Sequence, residues 1–186
     1  MKNLFKTLSI LFNYPGEEFA ELVREADAVR ELLAEEDEEA ARLVHEFLRG
    51  VDLEKADEEY VAVFELPAAC PLYAHYYTMR DKQSQVGMYL LEIKTKFKMK
   101  GYDINVSKEL PDFLPVMLEF LSKIADSDPR YAYDFAKRYI LSWLDPLERC
   151  LEKNKKEYTL LVKALRRGLE RLREAAEKQQ AEKGKA

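Results

Sequence analysis

At 186 residues the chain is sized for one domain, and a hydrophobic share of 47% is enough for a substantial core. The net charge of -5 hides a division, because residues 17–59 carry 17 acidic against five basic groups while residues 149–186 carry 12 basic against six acidic. The acidic first third repels nucleic-acid phosphates and favours basic partners. The two cysteines are too few for a disulfide framework and wrongly spaced for zinc, which predicts reduced thiols and a cytoplasmic location.

In chain order, Leu4, Leu8, Leu11 and Phe12 follow helical spacing and stop at Tyr14-Pro15-Gly16, a run too short for a secretory signal. Phe19, Leu22, Val23, Ala26, Val29, Leu32 and Leu33 predict one amphipathic helix, and Ala40 to Leu48 a second that ends at Gly50. Asp52 is placed to cap a helix carrying Tyr60, Val61, Val63 and Phe64, which stops around Leu66-Pro67. The stretch from there to Pro71 reads as a loop, leading to an exposed aromatic rim of Tyr73, His75, Tyr76 and Tyr77. A long helix follows from about Asp81 to Met99, closed by Gly101, with Tyr102 to Lys108 as a connector.

Pro111 suits a first helical turn and Asp112 can accept that turn's free N–H groups, so a helix is predicted to begin near Pro111. Glu119, between Leu118 and Phe120, lies where few faces can be wet and needs partners for its carboxylate. Asp128-Pro129 opens another helix, which Pro146 kinks or divides, and a last helix carries Tyr158, Leu161, Val162, Leu165, Leu169 and Leu172. Beyond Arg173 the apolar positions vanish. The prediction is an all-α, single-domain helical bundle over residues 1–173 with a frayed or disordered charged tail over 174–186. No segment approaches the about 18 uncharged residues of a membrane span, so no direct membrane insertion is expected.

The chemistry is sparse. The glycines at 16, 50, 87, 101, 168 and 184 form no phosphate-cradling loop, and Arg42 and Leu72 stand where a di-iron bundle needs the glutamates of its Glu-x-x-His motifs. Cys70 and His75 could serve as nucleophile and base, but no third, orienting group accompanies them. No catalysis and no cofactor are expected. For Asp112 two roles stay open, a helix cap and a recognition group.

The string Glu109-Leu110-Pro111-Asp112, with Phe113-Leu114-Pro115 and Leu118-Glu119-Phe120-Leu121, resembles the cytoplasmic assembly chaperones of molybdenum-dependent respiratory reductases, the NarJ, TorD and DmsD types. It is most similar to the NarJ branch, also called the nitrate reductase delta subunit. Leu8-Ser9 through Tyr14-Pro15, Tyr60-Val61 with Phe64, and Arg80-Asp81 with Gln85 through Gly87 agree with that family in order and spacing. TorD and DmsD types usually carry His where this chain has Phe113, so no role borrowed from that histidine applies. The resemblance implies a non-catalytic chaperone, a monomer or weak dimer. Its partner would be the apo catalytic subunit of a molybdopterin-dependent reductase, recognised by its N-terminal or twin-arginine leader peptide. It implies a peptide-binding set of Tyr60, Phe64, Glu65, Tyr73, His75, Arg80, Glu109, Pro111, Asp112, Phe113 and Glu119. The alternative is a structural subunit or adaptor that docks through its acidic face and dimerises through its basic C-terminal helix.

Overall fold

A computed structural model describes residues 1–65, 68–103 and 109–183. Among these residues every regular element is helical, as the apolar spacing predicts: α1 (Lys2–Leu11), α2 (Glu17–Arg24), α3 (Ala26–Ala34), α4 (Glu38–Gly50), α5 (Ala56–Phe64), α6 (Ala74–Thr78), α7 (Val86–Lys98), α8 (Leu114–Ile124), α9 (Pro129–Tyr139), α10 (Leu141–Asn154) and α11 (Thr159–Lys183). Short 3-10 turns, Gln83–Gln85 and Lys156–Tyr158, lead into α7 and α11.

The 25-residue α11 is the axis of the bundle. It packs against α1, α4, α9 and α10, while α8 lies on α1 and α3 on α4. Its approach to α1 is close at Gly168, where an added Cβ would stand 2.9 Å from Leu4 Cδ2. The α7 helix joins through aromatic contacts, Phe97 meeting Phe120 at 4.6 Å and Phe135 at 5.6 Å. It ends in a Schellman stop: Gly101, at φ 71°, and Tyr102 return their N–H groups to Lys98 O and Phe97 O.

Charge complementarity is largely internal. Asp37 caps α4 by accepting from Ala40 N–H at 2.8 Å, and its carboxylate, only 1% exposed, also receives Arg167 and Arg171 of α11 at 2.8 Å each. Burial alone would raise this carboxyl; the hydrogen bonds from Arg167, Ala40 N–H and Arg171 outweigh it and hold it below its ordinary range.

Several local expectations are corrected. The stripe from Phe19 to Leu33 is two helices, broken at Glu25 (φ -104°, ψ 27°), so that Phe19 stays against the end of α1 while Val29 and Leu33 follow α4. Asp52 accepts from Glu54 N–H and pairs with Lys55 in the turn before α5, rather than capping that helix. Ala74–Thr78 form a short helix behind Tyr73, and only Tyr76 of that aromatic group is well exposed; Tyr77 stacks on the buried Trp143. Regular α7 begins at Val86, after the 3-10 turn.

The break near Pro146 falls instead at Ile140, and Pro146 is accommodated inside α10, where it removes a single intrahelical bond. Residues 174–183 are helical, with Ala176 buried, so α11 outruns its apolar stripe. The expected stop at Leu66-Pro67, most of the connector from Tyr102 to Lys108 and the last three residues lie outside the described residues. The largest departure concerns the cysteines. Cys70 and Cys150 are joined as a disulfide across 80 positions of sequence, with Cα atoms 5.7 Å apart. Two cysteines far apart in sequence carry no local signal of pairing; packing of the 68–72 segment against α10 brings them together.

Candidate functional site

The 109–115 segment is strapped to the residues before α6. Leu114 N–H donates to Leu72 O at 2.8 Å and Ala74 N–H to Asp112 O at 3.1 Å, giving an isolated antiparallel bridge between Tyr73 and Phe113. The Asp112 carboxylate is fully buried. Its Oδ2 accepts from both the backbone N–H and Nδ1–H of His75 at 2.7 Å, while Oδ1 has no hydrogen-bond partner. Asp112 therefore caps α6, from 37 residues downstream, and not its own helix. The α8 helix starts at Leu114 with Phe113 as its N-cap and Pro115 in the first turn. This bond raises the His75 imidazole above its ordinary 6.5, against the opposing effect of burial.

The strap fixes an aromatic and acidic rim. The Tyr73 ring stacks on Phe113 with centroids 5.0 Å apart, and its hydroxyl donates to Glu109 Oε1 at 2.9 Å; burial, then this bond, push the Tyr73 phenol up. Behind the rim, Tyr60 packs on Phe64 and donates to Phe12 O at 3.2 Å, and Tyr14 meets the Tyr60 ring edge-on at 5.6 Å. Asp57 chiefly, and Glu65 last, raise the Tyr14 phenol.

In front of the rim is an open groove of about 510 Å³ between the end of α1, the start of α2 and the 109–119 segment. Ile10, Phe19, Phe113, Pro115 and Val116 supply its apolar lining. The carboxylates of Glu17, Glu18, Glu109 and Glu119 accompany Lys6, the one basic lining residue among the described residues. The size is that of a ligand-binding cleft, and the pairing of apolar surface with carboxylates suits a cationic, amphipathic occupant. Glu119 is half-exposed on this groove rather than shut among Leu118 and Phe120, and its partner is the hydroxyl of Tyr102, whose phenol burial and Glu119 push up to about 12.

Of the residues singled out in the sequence, Glu109, Phe113 and Glu119 line the groove, Tyr73 stands behind Phe113 and Glu109, Tyr60, Phe64 and Pro111 are buried, and Glu65 is exposed at the end of α5. Two others do not line this groove. Asp112 has no exposed surface, and its carboxylate is bonded to His75. Arg80 lies over the Tyr76 ring at 5.1 Å, in a separate pocket of about 210 Å³ with Tyr77, Pro146 and Cys150. Reading the sequence also missed Lys6, Ile10, Tyr14, Glu17 and Glu18. The signal available was the Tyr14-Pro15-Gly16 break followed at once by paired acids, which exposes an aromatic beside a carboxylate cluster.

Cys70 is held in a disulfide with Cys150 and so offers no free thiol beside His75. Among the described residues no cluster of three or more His, Cys, Asp or Glu is arranged to hold a metal ion. No helix among them is long and apolar enough to cross a membrane.

Comparison with known proteins agrees with the motif order. The chain is 32% identical over 171 residues to the nitrate reductase molybdenum cofactor assembly chaperone NarJ of Bacillus subtilis, covering 90% of this chain and 89% of that one. It is 32% identical over 126 residues to the nitrate reductase-like protein NarX of Mycobacterium tuberculosis, a match covering 65% of this chain but 18% of that longer protein. Its fold superposes with a TM-score of 0.64 on a redox enzyme maturation protein from Archaeoglobus fulgidus, at 25% identity, covering 91% of this chain and 94% of the other. Residues 30–153 match the nitrate reductase delta subunit family, and with the NarJ relative aligned over nearly its whole length, the chain belongs to that family.

Proposed function

We propose that this protein is a non-catalytic assembly chaperone of the cytoplasm that binds the N-terminal segment, or twin-arginine leader, of the apo catalytic subunit of a molybdenum-dependent reductase. It holds that subunit competent for molybdenum-cofactor insertion before membrane docking or export. The observation that carries this reading is the groove at α1, α2 and the 109–119 segment, where four carboxylates surround an apolar lining. A leader peptide brings the complementary set, apolar side chains flanked by arginine or lysine, and is captured as a helix in a groove or as an extended segment. With charge-assisted bonds of about 1.5 to 3 kcal/mol each, a few such contacts beside modest apolar burial reach the roughly -8 kcal/mol of micromolar binding.

The cytoplasmic part of the proposal no longer rests on free thiols, since the disulfide removes that argument. It rests on the family and on the chemistry of a partner that must be met before export. Less favours the adaptor reading: Arg167 and Arg171 of the basic helix, though partly exposed, pair with the buried Asp37 of their own chain.

Calorimetric titration with the N-terminal peptide of a nitrate reductase catalytic subunit from the same organism tests the proposal. Glu109→Gln, at a partly buried carboxylate, should weaken binding by roughly fivefold, about 1 kcal/mol, and Glu17→Gln by less, because Glu17 is exposed and already paired with Arg24. Arg80→Gln, in its separate pocket, should leave affinity unchanged. Unaltered affinity in folded groove variants would remove the groove from the reading.

A further inference from the structure

The outer face of α7 has no role in the groove. This helix buries Ile93 and Phe97 against α8 and α9 and turns its opposite side to water. That side carries Met88 (70% exposed), Leu91 (55%) and Met99 (64%), with Thr95 between them. Positions 88, 91, 95 and 99 fall on one stripe of a helix, so these are three large apolar groups in register and not singly scattered ones.

The stripe is flanked by cations. On helical phase Lys94 and Lys98 lie along one side of it and Lys96 along the other. Glu92, the acid nearest the stripe, is already taken by Arg138 at 2.7 Å and by the Tyr139 hydroxyl at 2.7 Å. Residues 80–103 hold six basic against three acidic groups, and of the six Lys100 is paired with Asp128 at 2.6 Å. At physiological ionic strength a surface senses charge over about 8 Å, so this local excess governs approach to this face rather than the chain's overall acidity.

We propose that the solvent face of α7 is an interfacial surface that seats on an anionic lipid leaflet, with Met88, Leu91 and Met99 entering the headgroup boundary and the lysines above them on lipid phosphates. The stripe runs along the outside of a single helix and is convex, so it fits a deformable medium better than a rigid one. Methionine and leucine adapt to disordered chains, and lysine stems lie along apolar surface while their ammonium groups stay wet. A second copy of this chain would set lysine against lysine.

The test is flotation of the full chain with vesicles of phosphatidylcholine, with and without phosphatidylglycerol, at low and high salt. Binding should require phosphatidylglycerol and fall with salt. The neutralising variants Lys94→Gln and Lys98→Gln should each lower partitioning roughly fivefold, and Leu91→Ser should lower it with the charge intact. All three are surface changes, and circular dichroism melts confirm their fold. No binding to the anionic vesicles, equal binding to neutral ones, or full binding by the variants would overturn the proposal. So would a concentration-dependent dimer, or binding of the apo reductase subunit, that Leu91→Ser abolishes while vesicles are not bound; either result would give the face to a protein. The peptide titration does not depend on this face, so the two readings fail separately.

Discussion

Replacing Asp112 by Asn probes the join between fold and groove. In the native protein a fully buried carboxylate accepts two bonds of 2.7 Å from His75, one of them from the imidazole. Bonds to a charged group are worth about 1.5 to 3 kcal/mol against about 1 for neutral ones, so keeping the acceptor while losing the charge costs about 2 kcal/mol over the pair. The new amide also buries N–H donors where Oδ1 has no partner today, which adds to the loss. For a chain of this length the melting temperature should fall by about 4 to 8 °C or more.

The pH dependence gives a second readout. His75 titrates above 6.5 when folded, so its pairing contributes stability that is fully present below 6.5 and is lost as pH rises through the raised folded value. Wild-type melts should therefore decline across that window, and Asp112→Asn should flatten the decline. Because Asp112 is inaccessible, peptide affinity should change only as far as Tyr73 and Phe113 shift. Equal melting temperatures and equal pH slopes for the two proteins would refute the reasoning; a large affinity loss with an unmoved melt would show instead that Asp112 reaches the ligand.

Asp37→Ala leaves Arg167 and Arg171 facing a site without its anion and removes the α4 cap, so urea unfolding should register a loss of about 3 to 5 kcal/mol, and a loss below about 1 kcal/mol would contradict the packing described. Since the Asp37 carboxyl is held below its ordinary 3.8, that contribution should be present above 3.8 and disappear as pH falls through the lowered value. Reducing Cys70–Cys150 opens a loop of 80 residues, for which chain entropy gives about 4.5 kcal/mol, so melts with and without reductant should differ clearly, and finding two free thiols in the unreduced, denatured protein would exclude the bond. Peptide association should slow with added salt while the complex lifetime changes less, because the carboxylates of the groove and of the acidic first third steer encounter over long range; a salt-independent on-rate in stopped flow would confine the carboxylates to short-range contact.

The sequence by itself determined the helices, because spacing such as Leu4, Leu8, Leu11 and Phe12 in α1, or Phe135, Ala136 and Tyr139 in α9, states which face of an element is buried. The order of the Leu8, Tyr60, Arg80 and Glu109 motifs also carried the family, which the matched residues 30–153 establish. It could not say which element each face would meet. The Asp112 carboxylate looked like the cap of the helix beside it, as local propensity suggests, yet packing delivered it to His75 and left α8 to start at Leu114. Cys70 and Cys150 gave no sign of each other across 80 positions, and Asp37 none of its arginines, 130 and 134 residues on. The groove belongs to the same class of fact: Tyr73 and Glu109 were legible as aromatic and acid, but the wall opposite them comes from the far end of α1 and the first turn of α2. Periodicity is a property of neighbours along the chain, whereas a cleft, a buried ion pair and a disulfide are made by surfaces that only the packed bundle brings together.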